Sequence, residues 1–153
     1  MPKHSAGVLL YRKLNDVLQV FLVHPGGPFW KNKDEGAWSI PKGEYEDSED
    51  PLEAAKREFK EETGQYIDGR FTVLKSVKLK SGKIIDAWAM EGDIDHLQIK
   101  SNLFEMEWPP KTGKMQAFAE VDRGGWFTVD EAKVKINIAQ VGLLEELLQL
   151  SNK

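Results

Sequence analysis

Between Gly43 and Gly64 the chain spells out a loop, a helix marked at both ends and a stop, and no other stretch constrains the fold as strongly. Asp50 is a good N-cap, Pro51 suits the first helical position, and Glu53 stands where it completes a capping box. Leu52, Ala55 and Phe59 recur at helical spacing, so one side of this helix needs an apolar partner, and Gly64 is a natural C-terminal stop. Glu58, Glu61 and Glu62 stand at i, i+3 and i+4, within an arc of about 100°. Three carboxylates therefore share one face. Like charges at that spacing destabilise an isolated helix, so the cluster needs open solvent or a compensating cation.

The flanks read as strands. Ala6 to Tyr11 and Val17 to Val23 are rich in Val, Leu and Phe, with Lys13-Leu14-Asn15-Asp16 between them, which predicts a β-hairpin. His24 to Gly36 is punctuated by Gly and Pro and reads as a long loop, the kind of segment that often carries function. A brief apolar piece at Trp38 to Ile40 precedes Pro41-Lys42-Gly43. Beyond the helix, Phe71, Val73, Val77 and Leu79 alternate with polar residues, Ser81-Gly82 can turn the chain, and Ile84 to Met90 is apolar, predicting a second hairpin. Trp108-Pro109-Pro110 and Thr112-Gly113 mark most of Ser101 to Gln116 as loop. Phe118 to Phe127 predicts a short strand interrupted at Gly124-Gly125, and Val141, Leu144, Leu147 and Leu148 predict a terminal amphipathic helix. Strands, a central helix, more strands and a closing helix imply an α/β (α+β) chain: a mixed sheet covered by helices, in a single domain over residues 1–153.

Composition excludes several classes. With no cysteine there is no disulfide framework, thiolate metal site or cysteine nucleophile, which fits a reducing, cytoplasmic setting. No apolar run approaches membrane-spanning length, and no signal-like segment opens the chain, so no membrane partner is expected. A formal net charge of −4 gives no general attraction to a nucleic-acid polymer, so a phosphate-bearing substrate must be met locally. The oligomeric state is open.

A solvated surface is the common outcome for a charge-dense helix. Here the spacing argues otherwise, because Gly43, Glu49, Arg57, Glu58, Glu61, Glu62 and Gly64 fill all seven fixed positions of the Nudix box, and the chain resembles the Nudix (MutT-like) hydrolase family. At average residue frequencies a chance match is on the order of 10⁻⁸ per starting position. One departure is Gln65 at the box's final hydrophobic position, followed by Tyr66 and Ile67, which bears on packing at the helix exit. The resemblance implies an α/β/α sandwich and hydrolysis of a nucleoside diphosphate linked to another group. Mg²⁺, with Mn²⁺ as a possible substitute, suits this chemistry: it takes oxygen ligands, keeps several waters and binds through a few carboxylates plus substrate phosphates. Glu58, Glu61 and Glu62 are the expected metal ligands, joined by the main chain at Lys42 or Gly43; Glu58 is the first candidate for base, with Glu61 also a candidate catalytic residue. Arg57 can pair with Glu49 at the helix entrance and orient a neighbouring carboxylate. Glu120, six residues before Trp126, matches a further metal or base carboxylate of many relatives.

Substrate contacts are expected from Lys42, a candidate phosphate contact, from the loop aromatics Phe29, Trp30 and Trp108, whose faces suit a base, and from His24 as a polar contact. Trp38-Ser39-Ile40-Pro41-Lys42-Gly43 is similar to the corresponding run of diadenosine polyphosphate hydrolases. The tyrosine or proline that marks diadenosine polyphosphate or ADP-ribose hydrolases past the box is replaced by Lys80-Ser81-Gly82-Lys83, which leaves NTPs, dinucleoside polyphosphates and nucleotide sugars open. The alternative reading is a catalytically inactive nucleotide-binding sensor on the same fold. Degenerate box acids would favour it, and none is missing.

Overall fold

The computed structural model describes residues 3–151. Its first hairpin pairs β1 (His4–Leu14) with β2 (Val17–Pro25) through a two-residue turn at Asn15 and Asp16, both at positive φ (53° and 66°). Asn and Asp tolerate that region, and the turn's twist matches the twist of the strands it joins. β6 (Ile84–Glu91) runs parallel to β1, while β4 (Phe71–Val73) and β5 (Val77–Lys78) each pair antiparallel with β6. β9 (Val121–Thr128) closes the other side against β2, giving the order β4-β6-β1-β2-β9 in a mixed sheet.

β1 and β2 do not stay paired along their whole length. Their ladder covers Tyr11 to Leu14; nearer the chain's start, β1 takes β3 (Lys42–Glu44) instead, with Gly7 opposite Lys42. Residues 38–44 are wedged into this split: Val23 and Ser39 exchange both backbone hydrogen bonds, and Val8 N–H donates to the Pro41 carbonyl. The apolar piece at Trp38 to Ile40 makes only isolated bridges, and the strand begins at Lys42.

Each face of the sheet is covered. Ala54, Ala55 and Phe59 of α1 (Pro51–Thr63) pack with Ala6, Val8, Leu10, Phe21 and Val23. On the opposite face Leu143, Leu144 and Leu147 of α3 (Val141–Ser151) and Ala132 of α2 (Val129–Lys135) pack with Leu9, Val20, Leu22, Ile85 and Ala87. Alternation along β1 and β2 sends successive side chains to the two cores, which is the sandwich the sequence implies. The helix ends agree in part. Asp50 accepts from Glu53 N–H and Gly64 takes the left-handed C-terminal position (φ 75°), but the Glu53 side chain pairs with Lys56 rather than returning to complete a box. At the helix exit Ile67 is buried where Gln65 breaks the pattern, and Gln65 reaches the Asp95 carbonyl.

Three elements differ from the expectations. Residues 101–102 and 108–114 are loop, but β7 (Leu103–Glu107) and β8 (Met115–Ala119) form a separate antiparallel hairpin around that loop; in β7 the half-buried Phe104 and Met106 alternate with the exposed Glu105 and Glu107. Gly124-Gly125 does not interrupt β9; a Cβ at Gly124 would overlap Ile99 and Phe21, so the glycine permits close packing. Finally, α2 was not anticipated, although Thr128 and Glu131 cap it reciprocally. Thr128→Ala is expected to cost about 1 kcal/mol and to lower the thermal midpoint by about 2–4 °C, measured by calorimetry.

Candidate active site

α1 is fixed to the sheet by Ala54, Ala55 and Phe59, so its acidic side faces the split between β1 and β2. Arg57 organises that side. Its Nε and Nη2 donate to Glu49 Oε2 and Oε1 at 2.8 and 3.0 Å, while Nη1 donates to Glu58 Oε1 at 2.7 Å and Glu61 Oε2 at 3.1 Å. The two-pronged pair with Glu49 locks the guanidinium plane, which then fixes two of the three helical carboxylates.

The loop arriving from the split meets the helix closely. A Cβ at Gly43 would overlap the Glu58 carboxylate, so only glycine fits there. Lys42 N–H donates to Glu62 Oε1 at 3.3 Å. Glu58 is buried (7% exposed), and burial followed by repulsion from Glu61 pushes its carboxyl above the usual range, against the pull of Arg57. Burial also raises Glu62, with Glu58 and Glu120 adding to the rise and Lys42 opposing it. Glu120, between β8 and β9, is raised by burial and by Glu61. The acid from the distant segment is thus electrostatically coupled to the helical ones. Burial lowers the Lys42 ammonium, and among the described residues Lys42 makes no ion pair within 4 Å.

A cleft of about 200 Å³ opens beside these groups, lined by Lys42, Glu62, Glu120, Trp30, Asn137 and Gln140 among others. Trp30 is 40% exposed on its wall. Phe29 and Trp108 stack edge-to-face at 5.6 Å between centroids and do not line the cleft itself. His24 is fully buried, and both its ring nitrogens are engaged, by Asp122 and by the Lys33 carbonyl, so neither is free for a substrate.

Sequence reasoning missed Gln140, whose buried amide accepts from Ile40 N–H at 3.1 Å and donates to Ser39 Oγ at 3.0 Å, pinning the segment that leads into Lys42. A polar residue inside the run Ile138 to Leu144 was the signal available. Asn137 was also missed. Its Oδ1 accepts from Ala139 N–H, which leaves its NH₂ for the cleft it lines.

The donor set suits a hard divalent cation: carboxylate oxygens from Glu58, Glu61, Glu62 and Glu120, with the main chain at Gly43 drawn close. Among the described residues, no three acidic or histidine side chains converge tightly enough to enclose an ion as they stand, and Arg57 supplies the positive charge between Glu58 and Glu61.

The NUDIX domain family matches residues 1–147. The chain belongs to that family. It is a hydrolase acting on phosphorus-containing acid anhydrides, and the family generally uses a divalent metal such as Mg²⁺. Its fold is similar to that of an Ap4A hydrolase of C. elegans, solved as a binary complex, at 21% identity and TM-score 0.65 over 97% of this chain and 98% of that one. It is also similar to the NUDIX domain of Shewanella oneidensis NrtR, solved with ADP ribose (15% identity, TM-score 0.69, 99% and 89% of the two chains). A third similarity is to a MutT from a study of Aliivibrio salmonicida and Vibrio cholerae (16% identity, TM-score 0.57, 96% of each chain). Among the described residues, no helix is long and apolar enough to cross a membrane.

Gly43→Ala forces Glu58 aside while leaving both cores untouched. It is expected to lower phosphoanhydride hydrolysis by about 10²-fold with a small change in unfolding midpoint, checked by phosphate release and calorimetry on the same preparation.

Proposed function

We propose that this single domain is a Mg²⁺-dependent pyrophosphohydrolase cleaving a phosphoanhydride bond in a nucleoside diphosphate linked to another group, an NTP or a dinucleoside polyphosphate. One observation carries the reading: four carboxylates from two distant segments, Glu58, Glu61, Glu62 and Glu120, are gathered in a partly buried site, where burial and neighbouring like charge raise the proton affinity of Glu58, Glu62 and Glu120. Such a cluster is costly unless a cation offsets it.

Bound there, Mg²⁺ or Mn²⁺ would neutralise charge on the phosphate oxygens and activate a water. Glu58, Glu61, Glu62 and Glu120 are assigned to hold it, with the main chain of Gly43 as a further oxygen donor. Arg57, itself fixed by Glu49, orients Glu58 and Glu61. Glu58 is the first choice to take the water's proton: it is the most enclosed of the three helical acids, and its raised proton affinity brings it nearer to the strength a base needs at neutral pH. Glu61 and Glu120 are the other candidates for that role.

Lys42 contributes an ammonium without an ion-pair partner among the described residues, beside Glu62 in the cleft, where a substrate phosphate would find it. Trp30 offers a stacking face to the base, and its neighbour in sequence, Phe29, stacks edge-to-face on Trp108 as an outer aromatic pair. The absence of cysteine supports a cytoplasmic setting.

A panel of NTPs, dinucleoside polyphosphates and nucleotide sugars, with products identified, tests the reading: turnover is expected with Mg²⁺, is abolished by EDTA and returns with Mg²⁺ or Mn²⁺. Glu62→Gln is expected to lower the rate by about 10²-fold or more with little loss of folding. No turnover of any member, alongside tight binding of one, would identify a nucleotide-binding sensor instead.

A further inference from the structure

His24 is the last residue but one of β2, at 0% exposure, in a position where an apolar side chain is the usual occupant. Its Nδ1 lies 2.9 Å from Asp122 Oδ1 and its Nε2 2.6 Å from the Lys33 carbonyl oxygen. The carbonyl oxygen can only accept, so Nε2–H donates to it, and Nδ1 faces the Asp122 carboxylate. The ring is held edge-on to Trp38, 5.2 Å between centroids, and the Arg123 guanidinium lies over the same indole and 3.5 Å from Asp122.

The sheet is irregular at this point. His24 pairs with Arg123, but Pro25 pairs with Val121, so Asp122 is the extra residue of a bulge on β9. A bulge re-aims a side chain, and here it turns Asp122 onto His24. The bulge lies two residues past Glu120, and Gly26 N–H donates to the Glu120 carbonyl at 2.9 Å. The loop from Gly26 is therefore tied at its start to Glu120 and, seven residues later, through Lys33 to His24 and Asp122. Trp30, a wall of the cleft, lies between the two ties.

We propose that His24 is a positioning residue: with Asp122 it clamps the 26–33 loop against the strand following Glu120 and so sets the cleft wall that Trp30 forms. The clamp acts on substrate fit and not on the water or the phosphate, because neither ring nitrogen is free to reach them. Its kinetic consequence rests on the hydrolase reading above; its structural consequence does not.

Two measurements test it. By hydrogen–deuterium exchange, His24→Phe keeps a ring but loses both ring nitrogens, and amides of residues 27–33 are expected to exchange about ten-fold faster or more, with α1 and α3 unchanged. Asp122→Ala alters a side chain about one-third exposed, so folding is spared and the same loop should loosen. Asp122→Asn keeps an acceptor facing Nδ1 and is expected to stay close to the unmodified chain. On whichever nucleotide the panel shows to be turned over, His24→Phe and Asp122→Ala are expected to raise KM about ten-fold while kcat changes less than about three-fold. Trp30→Ala should raise KM too, and adding His24→Phe to it should raise KM no further. Unchanged loop exchange in both clamp variants, a loosened loop with unchanged KM, a loss confined to kcat, or additive effects with Trp30→Ala would each overturn the proposal. If no nucleotide is turned over, the hydrolase reading falls, while exchange at residues 27–33 still decides whether the clamp exists.

Discussion

The structure is arranged around a repulsion. Glu58, Glu61, Glu62 and Glu120 are brought within electrostatic reach of one another in a half-buried site, an arrangement that burial and like charge both oppose. Two devices hold it. Arg57 bridges Glu58 and Glu61 and is itself locked by both oxygens of Glu49, so one guanidinium offsets several negative charges while fixing their directions. Glycine at position 43 lets a main-chain segment reach the Glu58 carboxylate where any side chain would intrude. The acids cannot relax apart, because the opposite side of the helix, through Ala54, Ala55 and Phe59, is part of the core. Apolar packing on one side thus maintains electrostatic strain on the other.

The split sheet follows from the same requirement. Were β1 and β2 paired throughout, no chain could pass between them to the helix. Their separation beyond Tyr11 admits residues 38–44, and the admitted segment satisfies the backbone groups left open: Val8 donates to Pro41, Val23 and Ser39 exchange hydrogen bonds, and β3 completes β1. Gln140 braces the segment from the far side with one amide that accepts from Ile40 and donates to Ser39. The second core, under α2 and α3, is therefore connected to the site by hydrogen bonds as well as by the sheet.

What was legible in the sequence was what is local. Asp50, Pro51 and Gly64 mark a helix because caps act within one turn, and the spacing of Glu58, Glu61 and Glu62 places them together because helical geometry is fixed. The first hairpin was readable for the same reason, Asn15-Asp16 being chemically suited to its turn. The hairpin of β7 and β8 was not. Its one alternating strand, with Phe104 and Met106 on the side opposite Glu105 and Glu107, is only five residues long and lies beside the turn residues Trp108-Pro109-Pro110 and Thr112-Gly113, which dominate the local pattern. The box at α2, Thr128 with Glu131, was as local as the caps of α1, but its helix is short and follows an aromatic strand that reads as β-structure.

The roles of single residues were harder to read, because they depend on what arrives from elsewhere in the chain. Glu120 was recognisable only by its distance from Trp126, and the structure couples it to Glu62 and Glu61 across more than fifty residues of sequence. His24 in a Gly- and Pro-rich stretch suggests an exposed polar contact. Its actual neighbours, Asp122 and the Lys33 carbonyl, enclose it because a bulge in β9 turns an aspartate inward, and bulges leave almost no trace in composition. The division is physical. The acids that define the reaction lie mostly within one helical turn and are fixed by local geometry, whereas the cleft wall is assembled from the loop after β2, the start of β9 and the approach to α3. Substitutions there can reshape the ligand's surroundings without touching the helix, so on this fold the reaction type can be conserved by a short motif while the choice of substrate is left to contacts that only tertiary structure brings together.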